Sequence, residues 1–264
     1  MIKKLLFLTL FANLLFANTK FEIYSDFPKE TKWVKPLLKN SLKHLNKMFL
    51  NPYTSLPKTI QVTIKKDTRM RSISANASRF NNSINFKSNV WQRDKYRVWI
   101  LIHELTNLLA SYYGSQAYPS DWWANGRSPF PEYISVKIMH KLGFKKEALW
   151  RKSVHKDKSD HKFYWHLDKK YGTKLFKDFF FLIKKHNINL ARIGKRWPHP
   201  DKKRTLKSLA LLSMAAKKNL AKTARFYKIG NKPKDWYQRH PEIRFIPYNI
   251  SELEIRDEIS RILR

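Results

Sequence analysis

Apolar residues follow two periods along this chain, and the change from one to the other divides it. Up to residue 86 most apolar runs are short and alternate with polar positions. Residues 19–25 (TKFEIYS) and 58–65 (KTIQVTIK) read as strands, the second with Ile60, Val62 and Ile64 on one face. Residues 74–80 and 83–86 flank Asn81-Asn82 and read as two further short strands, a hairpin. Between the first two strands a helix ending near Phe49 is expected, because Val34, Leu37, Leu38, Leu42, Leu45 and Met48 recur at helical spacing. Pro36 sets its start or a kink, and Asn51-Pro52 stops it. A longer apolar helix then covers about residues 92–113 and stops at Gly114.

Beyond Pro119 no convincing strand appears and the helical period takes over. Helices are expected over 132–142, ended by Gly143, over 145–155, and over 162–170 and 174–186 with Tyr171-Gly172 between them. One helix over 205–224 carries Leu206, Leu209, Leu212 and Ala216 along one side and lysines on the other. Ser251-Glu252-Leu253-Glu254 is a capping box, opening a last helix striped by Ile255, Ile259 and Ile262. The fold class is therefore α+β, with a small mixed sheet and the helix of residues 92–113 in one part, 18–118, and a helical part, 119–264. Only six glycines occur, so little flexible linker is expected and the two parts should pack as one unit.

The first 17 residues add a destination. Lys3 and Lys4, the apolar run from Leu5 to Leu15 and the end Leu15-Phe16-Ala17 have the order of a secretory signal peptide. The run is shorter than the roughly 20 residues of a membrane span, so no span is expected in the mature form, with an uncleaved anchor as the alternative. A periplasmic or secreted protein of a bacterial envelope follows. It has no cysteine, so its stability must come from its core and not from disulfides.

Charge narrows the partners. The formal net charge is +34, and removing Lys3 and Lys4 with the signal leaves +32. Such a chain is drawn to anionic surfaces, acidic glycans or nucleic acid. Basic runs such as Lys202-Lys203-Arg204 interleave with helix faces, which favours solvation over a dedicated nucleic-acid groove. A Gly-rich phosphate loop, a Gly-x-Ser-x-Gly elbow and a cysteine nucleophile are all missing from the sequence, which sets nucleotide-driven and thiol chemistry aside.

The candidate chemistry lies between Val98 and Glu132. His103, Glu104 and Asn107 interrupt an otherwise apolar helix and fill the first, second and fifth places of an H-E-x-x-H pattern, in which two imidazoles one turn apart hold zinc and the Glu acts on a bound water. The fifth place is Asn. Downstream, Asp121-Trp122-Trp123-Ala124-Asn125-Gly126-Arg127 gathers polar groups in an aromatic surround, as a pocket wall would, and Glu132 follows. Packing of Trp122 and Trp123 at a junction, with Arg127 paired to Asp121 or Glu132, is the plainer account of the same residues.

Taken together, HELTN and WWANGRSPFPE resemble the two-part motif of gluzincin-type zinc metallopeptidases. There a downstream Glu, followed by Gly, a small residue and an aromatic, supplies the third zinc ligand. Asn125, eighteen residues after Asn107, stands where that Glu would be. The resemblance implies a zincin-like fold and two competing readings of the site. In one, the zinc is lost, since neutral amides are poor zinc ligands. In the other, the site is rebuilt around a zinc or other divalent metal held by His103, Asp121 and Glu132, with Asn107 and Asn125 orienting water or substrate. In that case Glu104 would serve as general base and Arg127 would stabilise an oxyanion. His166, from the helical half, is placed at the cleft by the resemblance alone. His155, His161 and His166, near Asp157, Asp160 and Asp168, otherwise form a loose cluster interrupted by lysines that reads as a solvated turn. The expected functions are hydrolysis of peptide or amide bonds in the envelope or, in another class, non-catalytic binding of an anionic envelope polymer or partner.

Overall fold

Strands form where alternation leaves one side of a run wholly apolar. A computed structural model describes residues 19–114, 129–156, 158–190, 202–229 and 250–264, the side chains of 159, 160, 202 and 203 excepted. Strands β1 (Lys20–Ser25), β2 (Thr59–Lys66) and β4 (Ser83–Ser88) run parallel, and β3 (Ser74–Ser78) closes the edge antiparallel to β4, giving the order β1-β2-β4-β3. The register aligns Ile23 with Val62 and Val62 with Ile84, so Phe21, Ile60, Val62, Ile64, Ile84 and Phe86 point to one buried face. The hairpin expected on either side of Asn81-Asn82 is present, with Asn82 at φ +47, the left-handed region that Asn tolerates.

Parallel neighbours need a crossover, and helix α1 (Val34–Phe49) supplies it between β1 and β2. Helix α2 (Lys95–Tyr113) starts where the Asp94 side chain accepts the Arg97 backbone N–H. It packs against α1, β3 and β4, and every residue from Val98 to Ser111 is buried, which an all-round apolar pattern requires. Gly114 caps it at φ −109, so the glycine is not needed for a left-handed turn. It matters for space, since a Cβ there would lie 3.1 Å from the Phe180 ring, which would have to give way by a few tenths of an ångström.

The helical half contributes, among the described residues, α3 (Pro129–Lys141), α4 (Lys145–Val154), α5 (Ser159–Tyr171), α6 (Lys174–Lys185), α7 (Lys202–Ala215), α8 (Ala221–Phe226) and α9 (Glu252–Leu263). The single helix expected over 205–224 is two. Lys217 turns at φ +49, and the Asn219 side chain accepts the Ala221 N–H, which starts a new helix. The capping box of α9 is complete, with Ser251 and Glu254 bonding reciprocally.

Phe130 sits among Phe49 of α1, Tyr164 of α5 and Phe176 and Phe180 of α6, ring centroids 5.4–5.7 Å apart, and joins the sheet-bearing half to the helices. Around this cluster the buried apolar residues form one core. The architecture is α+β, with a four-stranded mixed sheet and mostly helical content. No helix among the described residues is long and apolar enough to cross a membrane.

Candidate functional site

Helix α2 carries His103, Glu104 and Asn107 on its buried flank, and α3 brings a carboxylate to meet them. Pro129 and Pro131 occupy the first turn of α3, where a missing N–H costs nothing, and Glu132 follows in that same turn, at the helix end that favours negative charge. Glu132 Oε1 lies 3.7 Å from His103 Nδ1. Helix α4 then places Arg151 and, at its cap, His155 against the same carboxylate.

The carboxylate is closely held. Arg151 Nε donates to Oε2 at 2.9 Å and Nη2 donates to Oε1, a bidentate pair. Trp99 Nε1 donates to Oε2 at 3.1 Å, and the guanidinium carbon stands 3.5 Å over the Trp99 ring. Trp99 is 5% exposed, Glu132 8% and Arg151 9%, so both charges are out of water and depend on each other. His155 Nε2 lies 3.7 Å from Oε1, and its ring stacks on His161 with centroids 4.4 Å apart.

Burial sets the protonation states. It lowers His103 to about 4, and the Arg151 charge adds to this while Glu132 opposes it. It raises Glu104 to about 7, with the Glu132 charge adding to the rise and a hydrogen bond from Asn107 countering it. Burial also raises Glu132, but the Arg151 hydrogen bond and the charges of His103, Arg151 and His155 outweigh it and leave this carboxyl below its ordinary range. His161 is lowered to about 3, first by burial and then by His155. At neutral pH the cluster thus holds an ionised Glu132–Arg151 pair beside neutral His103 and His161, with Glu104 close to its titration midpoint.

Of the residues expected at the site, His103, Glu104, Asn107 and Glu132 come together. Asp121, Trp122, Trp123, Asn125 and Arg127 lie outside the described residues. His166, on α5, packs its ring on Tyr227 at 5.4 Å, and no hydrogen bond, ion pair or ring contact joins it to the cluster among the described residues. The segment around His155 and His161 is not a solvated turn. His161 is 4% exposed and His155 reaches Glu132, because α5 packs on α3 and carries its own N-terminus inward. Sequence reading also passed over Trp99 and Arg151. The one trace of Arg151 was its place three residues after Ala148, on the side of α4 that is buried.

The described residues of this arrangement do not suit a zinc ion. Both Glu132 oxygens already accept hydrogen bonds from a permanent cation, Asn107 offers only an amide oxygen, and among the described residues no group of three or more His, Asp or Glu side chains is placed to hold a metal. Compared with protein-family models, curated proteins and solved structures, the chain finds no match.

Proposed function

We propose that the chain is an exported, zincin-like protein in which an internal ion pair has taken the place of the metal, and that it acts as a non-catalytic binder of an anionic envelope polymer. The observation that carries this is the two-nitrogen grip of Arg151 on Glu132 beside His103. A divalent cation at His103 would have to sit next to a guanidinium that cannot deprotonate, and would have to draw Glu132 away from it. Asn at positions 107 and 125 agrees with a retired metal centre. The order of elements supports the zincin-like frame: strand, crossover helix, strand and edge hairpin, motif helix, then a helix bearing a carboxylate that faces the motif His. The secretory start and the charge of +34 support the envelope and the anionic partner.

A hydrolytic reading keeps one observation of its own. Glu104, raised to about 7, has the pKa of a general acid or base working at neutral pH. Metal content and amidase activity separate the two readings. Full chain purified without chelator should hold far less than one equivalent of zinc, and Glu104→Gln should match the wild type on casein and on peptide amides. Stoichiometric metal, together with a hydrolysis that Glu104→Gln abolishes, would overturn the binding reading.

A further inference from the structure

The carboxyl-terminal end of the sheet gathers positive charge. A cavity of about 520 Å³ there is lined by Lys65, Lys66, Asp67, Thr68, Arg69 and Lys87. Lys65 and Lys87 are register partners on adjacent strands, so their side chains leave the same face side by side, an arrangement of like charges that destabilises a sheet. Asp67, the one carboxylate in the lining, is engaged by its own neighbour: it accepts the Arg69 backbone N–H and Nε, each at 3.1 Å, and that pairing holds its carboxyl below the ordinary range. Asp26, close by, accepts the Lys66 backbone N–H at 2.8 Å. Among the described residues no salt bridge reaches Lys65, Lys66 or Lys87.

The face leading away from this cavity is polar and, Ser83 apart, at least partly exposed. Its rows, read across the strands, are Tyr24, Thr63, Asn85 and Asn76, then Glu22, Gln61, Ser83 and Ser78. Tyr24 is 53% exposed, and Gln61, Asn76, Lys65 and Lys87 are exposed. A platform of amides and hydroxyls with one aromatic ring and one carboxylate, Glu22, suits the hydroxyl edges of sugars, and the cations at its end suit an acidic substituent. Nucleic acid would favour successive aromatic rings for base stacking, and this face offers only Tyr24, whose hydroxyl is bonded to Glu22. We infer that the open face of the sheet binds an acidic polysaccharide, with Lys65, Lys66 and Lys87 holding its anionic groups. The inference rests on the binding reading above and gives that reading a site and a ligand class.

The test is titration calorimetry of the full chain with oligogalacturonate as the acidic glycan, neutral dextran, and a single-stranded oligonucleotide of matched charge. Lys65→Glu with Lys87→Glu is compared with Lys177→Glu and Lys185→Glu, an equal charge change on exposed positions of α6. Oligogalacturonate should bind and dextran should not. The sheet pair should weaken binding by about tenfold or more, and the α6 pair by less than about threefold. Equal losses in both pairs would overturn the site while leaving an anion-binding protein. No binding by the wild type would overturn the site and the proposed function together, and tighter binding of the oligonucleotide would overturn the glycan assignment. Should the Glu pair fail to fold, Lys65→Gln with Lys87→Gln gives the same comparison, with thermal melting as the check on folding.

Discussion

Two regions of this molecule gather cations, and they treat them in opposite ways. At the motif helix, Arg151 is buried, fixed over Trp99 and committed to Glu132, so its charge is answered within the chain. At the end of the sheet, Lys65, Lys66 and Lys87 stand exposed beside a carboxylate already paired with Arg69. The first arrangement gives rigidity and leaves nothing for an outside partner. The second gives little stability and leaves charge available to a ligand. A strongly basic composition alone would not have distinguished the two.

The contrast can be broken most forcefully at Arg151. Arg151→Ala strands Glu132 as a buried, unpaired charge and should lower unfolding stability by about 3–5 kcal/mol, read as a fall in the urea midpoint, while Arg151→Met with Glu132→Leu should recover most of it. A loss below about 1 kcal/mol would put this pair in the class of exposed ion pairs and erase the difference.

Acid should act on the same region through its buried histidines. His103 and His161 titrate at about 4 and about 3 in the folded chain and near 6.5 when unfolded, so the unfolded state binds more protons as pH falls below 6.5. Their neutral burial therefore contributes fully above that pH and is lost towards pH 4, each by an amount of order 3 kcal/mol. Glu104 runs the other way: its folded pKa is raised from 4.5 to about 7, so its contribution is full below 4.5 and declines as pH rises through 7. Urea melts between pH 4 and 8 should show a maximum between the two limbs, with the acid limb flattened in His161→Phe. An acid limb unchanged by that substitution would mean that His161 is hydrated in the folded state. The smallest effect belongs to the sheet end. Lys65→Ala should change stability by less than about 0.5 kcal/mol, with a slight gain at low salt from relief of the Lys87 repulsion that disappears at high salt.

Much of this frame was legible in the sequence because its signals are local. Alternation at Ile60, Val62 and Ile64 gave β2, the Asn81-Asn82 pair gave the β3–β4 hairpin, and Ser251 with Glu254 gave the cap of α9. The break at Lys217 was missed because the apolar stripe runs on towards Ala224 and only the Asn219 cap interrupts it. At the site, His103, Glu104, Asn107 and Glu132 were found from a short motif and its continuation. Arg151, His155 and His161 were not, because charged and ring side chains between lysines look solvated until packing turns them inward. Their meeting with Glu132 depends on how α4 and α5 fold back on α3, a long-range arrangement that periodicity does not encode.

The edge strand β3 has a consequence for how copies of the chain behave together. Its sequence, SANAS, is short and carries no large apolar or aromatic side chain, and among the described residues it ends the sheet. An edge of this kind is a poor template for another strand. Many copies crowded along one polyanion would bring such edges close to one another at high local concentration. The small serines, alanines and the central asparagine give a neighbouring strand little side-chain surface to pair with at this edge.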